Sequence, residues 1–202
     1  MQAQANISTP ATHAIVIGGS IAGLLAARVL HATFGAVTII ERDPLPAGAE
    51  TRKGTPQSRH GHGLLAGGYQ IIERLLPGFG AELIANGALP CDVIGDARWH
   101  QLGGYKAKFK SGLQGILMSR PLIEAVIRRR VLALPNVQVH ENSVQELIAS
   151  PDHAVGATRH HRRVTGVRLA DGTVLTADLV VDASGRGSRA PGWLAALGYA
   201  KP

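Results

Sequence analysis

Val16-Ile17-Gly18-Gly19-Ser20-Ile21-Ala22-Gly23 is the stretch whose reading decides the fold. Ahead of it, Ala14 to Ile17 is a short apolar run, as a strand buried on both faces requires. Behind it, Ile21 to Phe34 has helical composition without proline, and Gly35 supplies a stop. Val37 to Ile40 is apolar and largely β-branched and reads as a second strand. Strand, glycine turn, helix and strand in that order make a βαβ unit. Gly18 allows the tight bend, a small residue at position 20 lets backbone approach a pyrophosphate, and Gly23 lets helix close on strand. The helix start then turns backbone N–H groups and a partial positive charge toward the phosphates. Ser20 occupies the place of the usual middle glycine. Glu41 ends the second strand, where a carboxylate accepts hydrogen bonds from ribose hydroxyls and repels a 2′-phosphate.

Outward from this unit, Asp43 to Gly63 reads as a long loop rich in Pro, Gly, Arg and His. Leu64 to Leu76 and Ala81 to Ala85 have helical character, and Val93 to Met118 is mixed and strand-rich. Pro121 to Leu134 is a clear helix. Leu122, Ile123, Val126, Ile127, Val131 and Leu134 share one face, and Glu124 precedes Arg128 by one turn. Val137 to His140, Val144 to Ile148, Val164 to Leu169 and Leu179 to Val181 read as strands, with Asp171-Gly172 turning a hairpin between two of them. Pro151 to Arg163 reads as a polar, basic hairpin tip. The expected architecture is α/β: a Rossmann-like parallel sheet with a βαβ start and an antiparallel hairpin or meander insertion. Residues 1–12 form a tail and 13–202 one domain.

Composition narrows the function. At 45% hydrophobic residues the chain of 202 is too apolar for a disordered protein. Its charge of +7 is mostly scattered arginine, and aromatic residues are 4%, so base-stacking surfaces are not expected and nucleic acid is not an expected partner. The uncharged run Ala14 to Ala27 has no Lys or Arg before it and is too short to span a bilayer, so no integral membrane segment is expected. A single cysteine, Cys91, fits a reducing compartment, and a cytoplasmic location is expected.

The first motif is part of a longer pattern. Gly18-x-Ser20-x-x-Gly23-x-x-x-Ala27, then Leu30, Gly35 and Thr38-Ile39-Ile40-Glu41-Arg42, resembles the FAD fingerprint of flavoprotein monooxygenases of the aromatic-hydroxylase type. Ala177-Asp178-Leu179-Val180-Val181-Asp182-Ala183-Ser184-Gly185-Arg186-Gly187-Ser188-Arg189 is similar to that family's second motif. Met118-Ser119-Arg120-Pro121-Leu122 is similar to its arginine at a helix start. Gly54 to His62 resembles the basic flavin-side loop of an epoxidase-like bacterial subgroup.

The resemblance implies FAD as cofactor, NADH or NADPH as reductant, and transfer of oxygen to a small-molecule organic substrate. It implies Gly18, Gly19, Ser20 and Gly23 at the pyrophosphate, Glu41 at the adenosine ribose and Val144 backbone near adenine. Arg120 would reach the phosphates or ribityl chain, Asp182 would lie near the flavin, and Arg42 and Arg59 are further cofactor contacts. Two departures stand out. Asp182 is separated from its glycine by Ala183 and Ser184, and no third, Gly-Asp motif follows Arg189. The chain therefore reads as the N-terminal portion of such a protein. A flavin reductase or halogenase-like member of the same superfamily, and a non-catalytic nucleotide-binding fragment, stay open as alternatives.

The remaining candidates are weaker. His60 and His62 with Arg59 beside them make a poor metal set, and His160-His161 lies among arginines. Arg128-Arg129-Arg130, late in a helix, suits the helix dipole and is expected to need no partner. Cys91 reads as a small apolar residue, and no catalytic acid or base is identifiable.

Overall fold

The computed structural model describes residues 12–150 and 162–199. In chain order its elements begin with β1 (His13–Ile17), α1 (Ile21–Leu30), β2 (Ala36–Glu41), a 3-10 turn (Pro56–Arg59), β3 (Gly61–Leu64) and α2 (Ala66–Leu75). Next come α3 (Phe79–Ala85), β4 (Leu89–Asp92), β5 (His100–Gln101), β6 (Gly104–Tyr105), β7 (Gln114–Ser119) and α4 (Arg120–Leu132). Then follow β8 (Val137–Glu141), β9 (Val144–Ala149), β10 (Val164–Leu169), β11 (Val174–Thr176), β12 (Leu179–Asp182), a 3-10 turn (Gly185–Gly187) and α5 (Ala190–Ala196). They fall into two units, Met1–Leu45 with Val131–Pro202, and Pro46–Arg130.

The first unit is the expected α/β layer. A parallel sheet runs β12-β1-β2-β8, with Ile15 opposite both Val180 and Thr38. Ala14, Ile15, Val16, Val37 and Ile39 are completely buried, which is why these strands read as continuous apolar runs. α1 packs against β1 and β2 through Gly23, Leu24 and Ala27. Burying a leucine of this kind contributes about 1.5–3 kcal/mol. A second, antiparallel sheet β11-β10-β9 joins the same core, where Ile15, Ile17 and Ile40 meet Val144, Val167 and Leu169.

One hairpin differs from expectation. The turn at Asp171-Gly172 returns β10 to β11, not to the strand at Leu179. β12 instead lies parallel to β1, its last residue Asp182 in register with Ile17. The sequence shows two apolar runs after the turn, and only the nonlocal pairing decides which one each sheet takes. The basic tip at Pro151 to Arg163, including His160-His161, lies outside the described residues up to position 161.

The second unit has a three-stranded antiparallel sheet, β3-β7-β4, and a separate hairpin, β5-β6. Its apolar residues Ile72, Leu76, Phe79, Leu83, Ile116 and Met118 are buried as α2 packs on α3 and β7. The helix expected from Leu64 begins at Ala66. Gly61 to Leu64 forms β3 because β7 offers a partner four residues long. β4 carries Pro90 and so gave little strand signal; it survives at the sheet edge, where a missing N–H is tolerated. Among the described residues no helix is long and apolar enough to cross a membrane.

The three late arginines of α4 correct a second expectation. Arg128 is 5% exposed and lies 3.9 Å from Glu124, while Arg129 and Arg130 both pair with Glu82. Helical charge patterning sees only neighbours one turn away: it shows Glu124 for Arg128, but Glu82 comes from α3 and lies outside it. Burial pushes the Arg128 pKa down, with Glu124 opposing that shift.

Candidate functional site

Three backbone segments of the first unit meet at the carboxyl ends of β1, β2 and β12. Gly18 holds the left-handed φ of +102°, and a Cβ there would lie 2.7 Å from the carbonyl oxygen of Ala183. Its N–H donates to the Ile40 carbonyl at 2.8 Å, and the Ala183 N–H donates to Ile17 at 2.8 Å. The turn after β1 is thus fixed from both neighbouring strands. Gly23 is the tightest point: a Cβ would fall 1.7 Å from the Gly18 carbonyl oxygen. Glycine is required at both positions, at the first by conformation as well as space.

Glu41 lies 7% exposed beside this turn. The Gly19 N–H donates to its Oε2 at 2.7 Å and the Asp43 N–H to its Oε1 at 3.1 Å. The Glu41 carbonyl in turn accepts from the Asn142 N–H at 3.0 Å, tying the β8–β9 turn to the same corner. Ser20 sits at the N-cap of α1 in extended conformation, with no capping bond from its own side chain. The turn that leads into α1 therefore rests on a buried carboxylate through Gly19.

Asp182 ends β12 and organises the third segment. Its Oδ1 accepts from the Ser184 N–H at 2.9 Å and Ser184 Oγ at 2.6 Å, and its Oδ2 accepts from Ser188 Oγ. Burial alone would raise this carboxyl's pKa, but the serine bonds outweigh it and hold the group below the usual range. The sign follows: the charged form is the one bonded in the fold. Its stabilising contribution is present at neutral pH and is lost as pH falls through the lowered value. Asp182→Asn is therefore expected to lower the urea midpoint at pH 7. The gap to the parent should close as pH falls below about 4, the ordinary aspartate range; a gap constant with pH would refute the assignment.

The first unit thus brings Gly18, Gly19, Ser20, Gly23, Glu41 and Asp182 together. Val144 begins β9 with its side chain in the core, 7% exposed. Arg42 follows Glu41 with an exposed side chain, 3.8 Å from Asp43. Arg59 and Arg120 belong to the second unit. Arg59 is exposed at the end of a 3-10 turn. Arg120 opens α4, 16% exposed and 3.4 Å from Glu124. There Glu124 also meets Arg52 at 2.9 Å.

Sequence reasoning missed the contact of Ala183 with Gly18, the Gly19–Glu41 bond and Arg52. The doubled glycine at 18–19 was the available signal for the first two. Arg52 had none, since it stands in a loop 72 residues from its partner. Among the described residues no group of three or more His, Cys, Asp or Glu could hold a metal ion.

Turn, helix start, strand-end carboxylate and third loop belong to an α/β fold of the kind found in FAD-dependent monooxygenases. The comparisons agree. The chain is similar to PqsL of Pseudomonas aeruginosa, described as a probable FAD-dependent monooxygenase, with TM-score 0.63 and 20% identity over 88% of this chain and 44% of that one. It is similar also to p-nitrophenol 4-monooxygenase PnpA of Pseudomonas putida, with TM-score 0.64 and 19% identity over 91% of this chain and 43% of that one. Protein Rv3254 of Mycobacterium tuberculosis is 40% identical over 211 residues, 97% of this chain and 42% of its own length. The chain therefore spans less than half the length of these relatives. No family model matches it.

Proposed function

We propose that this chain is the FAD-binding N-terminal portion of an oxidoreductase of the flavin monooxygenase type. The observation that carries the reading is the corner in which Gly18 and Gly23 leave no room for a Cβ while Gly19 donates to Glu41. The Gly18 and Gly19 N–H groups are bonded to Ile40 and Glu41, so the start of α1 supplies the N–H donors to a pyrophosphate, and Glu41 is a fixed acceptor for a ribose. A carboxylate accepts about four hydrogen bonds, so ribose hydroxyls can join the two backbone donors. FAD bound in such a protein supplies the redox chemistry, namely acceptance of a hydride and reaction with oxygen.

The protein's own part is to position that group. Gly18, Gly19, Ser20 and Gly23 hold the pyrophosphate on α1, Glu41 the adenosine ribose, and the Val144 backbone the adenine side. Asp182 would lie near the flavin and act there by shaping its loop through Ser184 and Ser188. Arg42, Arg59 and Arg120 are the cationic contacts that the resemblance implies. The proposal extends to NADH or NADPH as reductant, a small organic substrate and a cytoplasmic location, the last resting on one free cysteine.

Glu41→Ala tests the ribose role. Loss of a charge-assisted bond of about 1.5–3 kcal/mol predicts roughly 10- to 100-fold weaker FAD binding, read by fluorescence titration. An unchanged dissociation constant in a folded variant would remove Glu41 from the site.

A further inference from the structure

We propose that the arm Arg98–Lys110 docks this protein on an anionic lipid surface. Every residue from position 98 to position 110 is exposed. The arm holds three of the chain's five lysines, Lys106, Lys108 and Lys110, and three of its eight aromatic residues, so charge and rings scattered elsewhere are concentrated here. From Ala97 to Ile123 there is no Asp or Glu; the carboxylates beside Lys108 and Lys110 are Asp92, which accepts from Ser111 and Gly112, and Asp96, which accepts from the Asp92 N–H.

The apex is the telling residue. Leu102 is 100% exposed, and its φ of 54° makes it the single non-glycine residue at positive φ among the described residues. With Gly103 at +80°, it forms the two-residue turn between β5 and β6, where Asn or Gly is the favoured first residue. Exposure and backbone conformation both count against leucine, so folding gives no reason for it there. Trp99 at 47%, Tyr105 at 65% and Phe109 at 63% exposure stand behind it.

The arm is nevertheless ordered. The Lys106 N–H donates to Trp99 at 2.9 Å, the Trp99 indole donates to Val93 at 3.2 Å, and the Arg98 guanidinium lies 4.7 Å from the Tyr105 ring centre. An apolar apex, a band of rings and a rank of lysines is the order that a lipid interface rewards. The apex enters the acyl boundary, Trp and Tyr sit at headgroup level, and lysines reach out to phosphates.

Nucleic acid fits less well. Tyr105 has Arg98 over its face and His100 against it with ring centres 4.9 Å apart, which leaves it a poor stacking platform, and an exposed leucine gains nothing from phosphate. A protein partner needs about twenty residues a side for a standard interface, more than this arm supplies.

The test is co-sedimentation of the purified chain with vesicles of equal parts phosphatidylcholine and phosphatidylglycerol, against phosphatidylcholine alone. Binding to the anionic vesicles and its weakening by salt are expected. The triple variant Lys106→Gln, Lys108→Gln, Lys110→Gln should bind about 100-fold more weakly, near fivefold per lysine. Leu102→Asn keeps the left-handed turn and should bind about tenfold more weakly through lost apolar burial. Absence of binding to anionic vesicles, or full binding by either variant, would overturn the proposal. So would lysine-dependent binding to a single-stranded oligonucleotide without vesicle binding.

Discussion

Gly23→Val is expected to destroy the nucleotide corner and to destabilise the first unit by at least about 3 kcal/mol, the upper range for overpacking a close contact. The added Cβ alone would lie 1.7 Å from the Gly18 carbonyl oxygen and 3.3 Å from Val16 Cγ1. Neither neighbour can give way cheaply. Gly18 is bonded to Ile40 and backed by Ala183, and Val16 is completely buried. Relief therefore requires α1 to move off β1, which moves the N–H groups that face the phosphates. Urea denaturation and FAD titration should fail together in this variant. A parental urea midpoint would show that helix and turn are not packed as described.

Glu124→Ala should be the most damaging change in the second unit. Glu124 is 4% exposed and is shared by Arg52 at 2.9 Å, Arg120 at 3.4 Å and Arg128 at 3.9 Å. Removing the carboxylate leaves three largely buried guanidiniums facing one another. Breaking a buried pair from one side costs about 3–5 kcal/mol, because the remaining charge is left uncompensated. The expected readout is a urea midpoint lowered by that amount, with partial recovery in Glu124→Asp. A loss below about 1 kcal/mol, the level of an exposed pair, would contradict the buried arrangement.

The βαβ start was legible because its signals are local and agree with one another. Apolar runs at 14–17 and 37–40, a glycine turn between them and an acid at 41 each report on the same corner. Helix α4 was legible from the one-turn spacing of its apolar residues. Expectation failed where partners lie far apart in sequence. β3 exists because β7 pairs with Gly61 to Leu64, 55 residues or so upstream, and no pattern within four residues announces that. The run at Leu179 belongs beside β1 through a register that only the folded sheet fixes.

The candidate site divides the same way. The corner of Gly18, Gly23 and Glu41 was legible because backbone geometry demands particular residue types at fixed spacing. Asp182 ends β12 beside the same turn, and its carboxylate serves Ser184 and Ser188 in its own loop. The late arginines of α4 were read as suiting the helix dipole without a partner, and Arg128 instead shares a buried glutamate with Arg52. Glu124 lies within the helix pattern, but Arg52, which shares it, does not.

The central claim, that the Gly18–Gly23 turn and Glu41 hold the ADP half of FAD, is tested most directly by titrating purified chain with FAD and then competing with ADP. The account predicts saturable FAD binding that ADP displaces and FMN does not, weakened by Glu41→Ala. A chain that unfolds cooperatively in urea yet binds neither FAD nor ADP would contradict it.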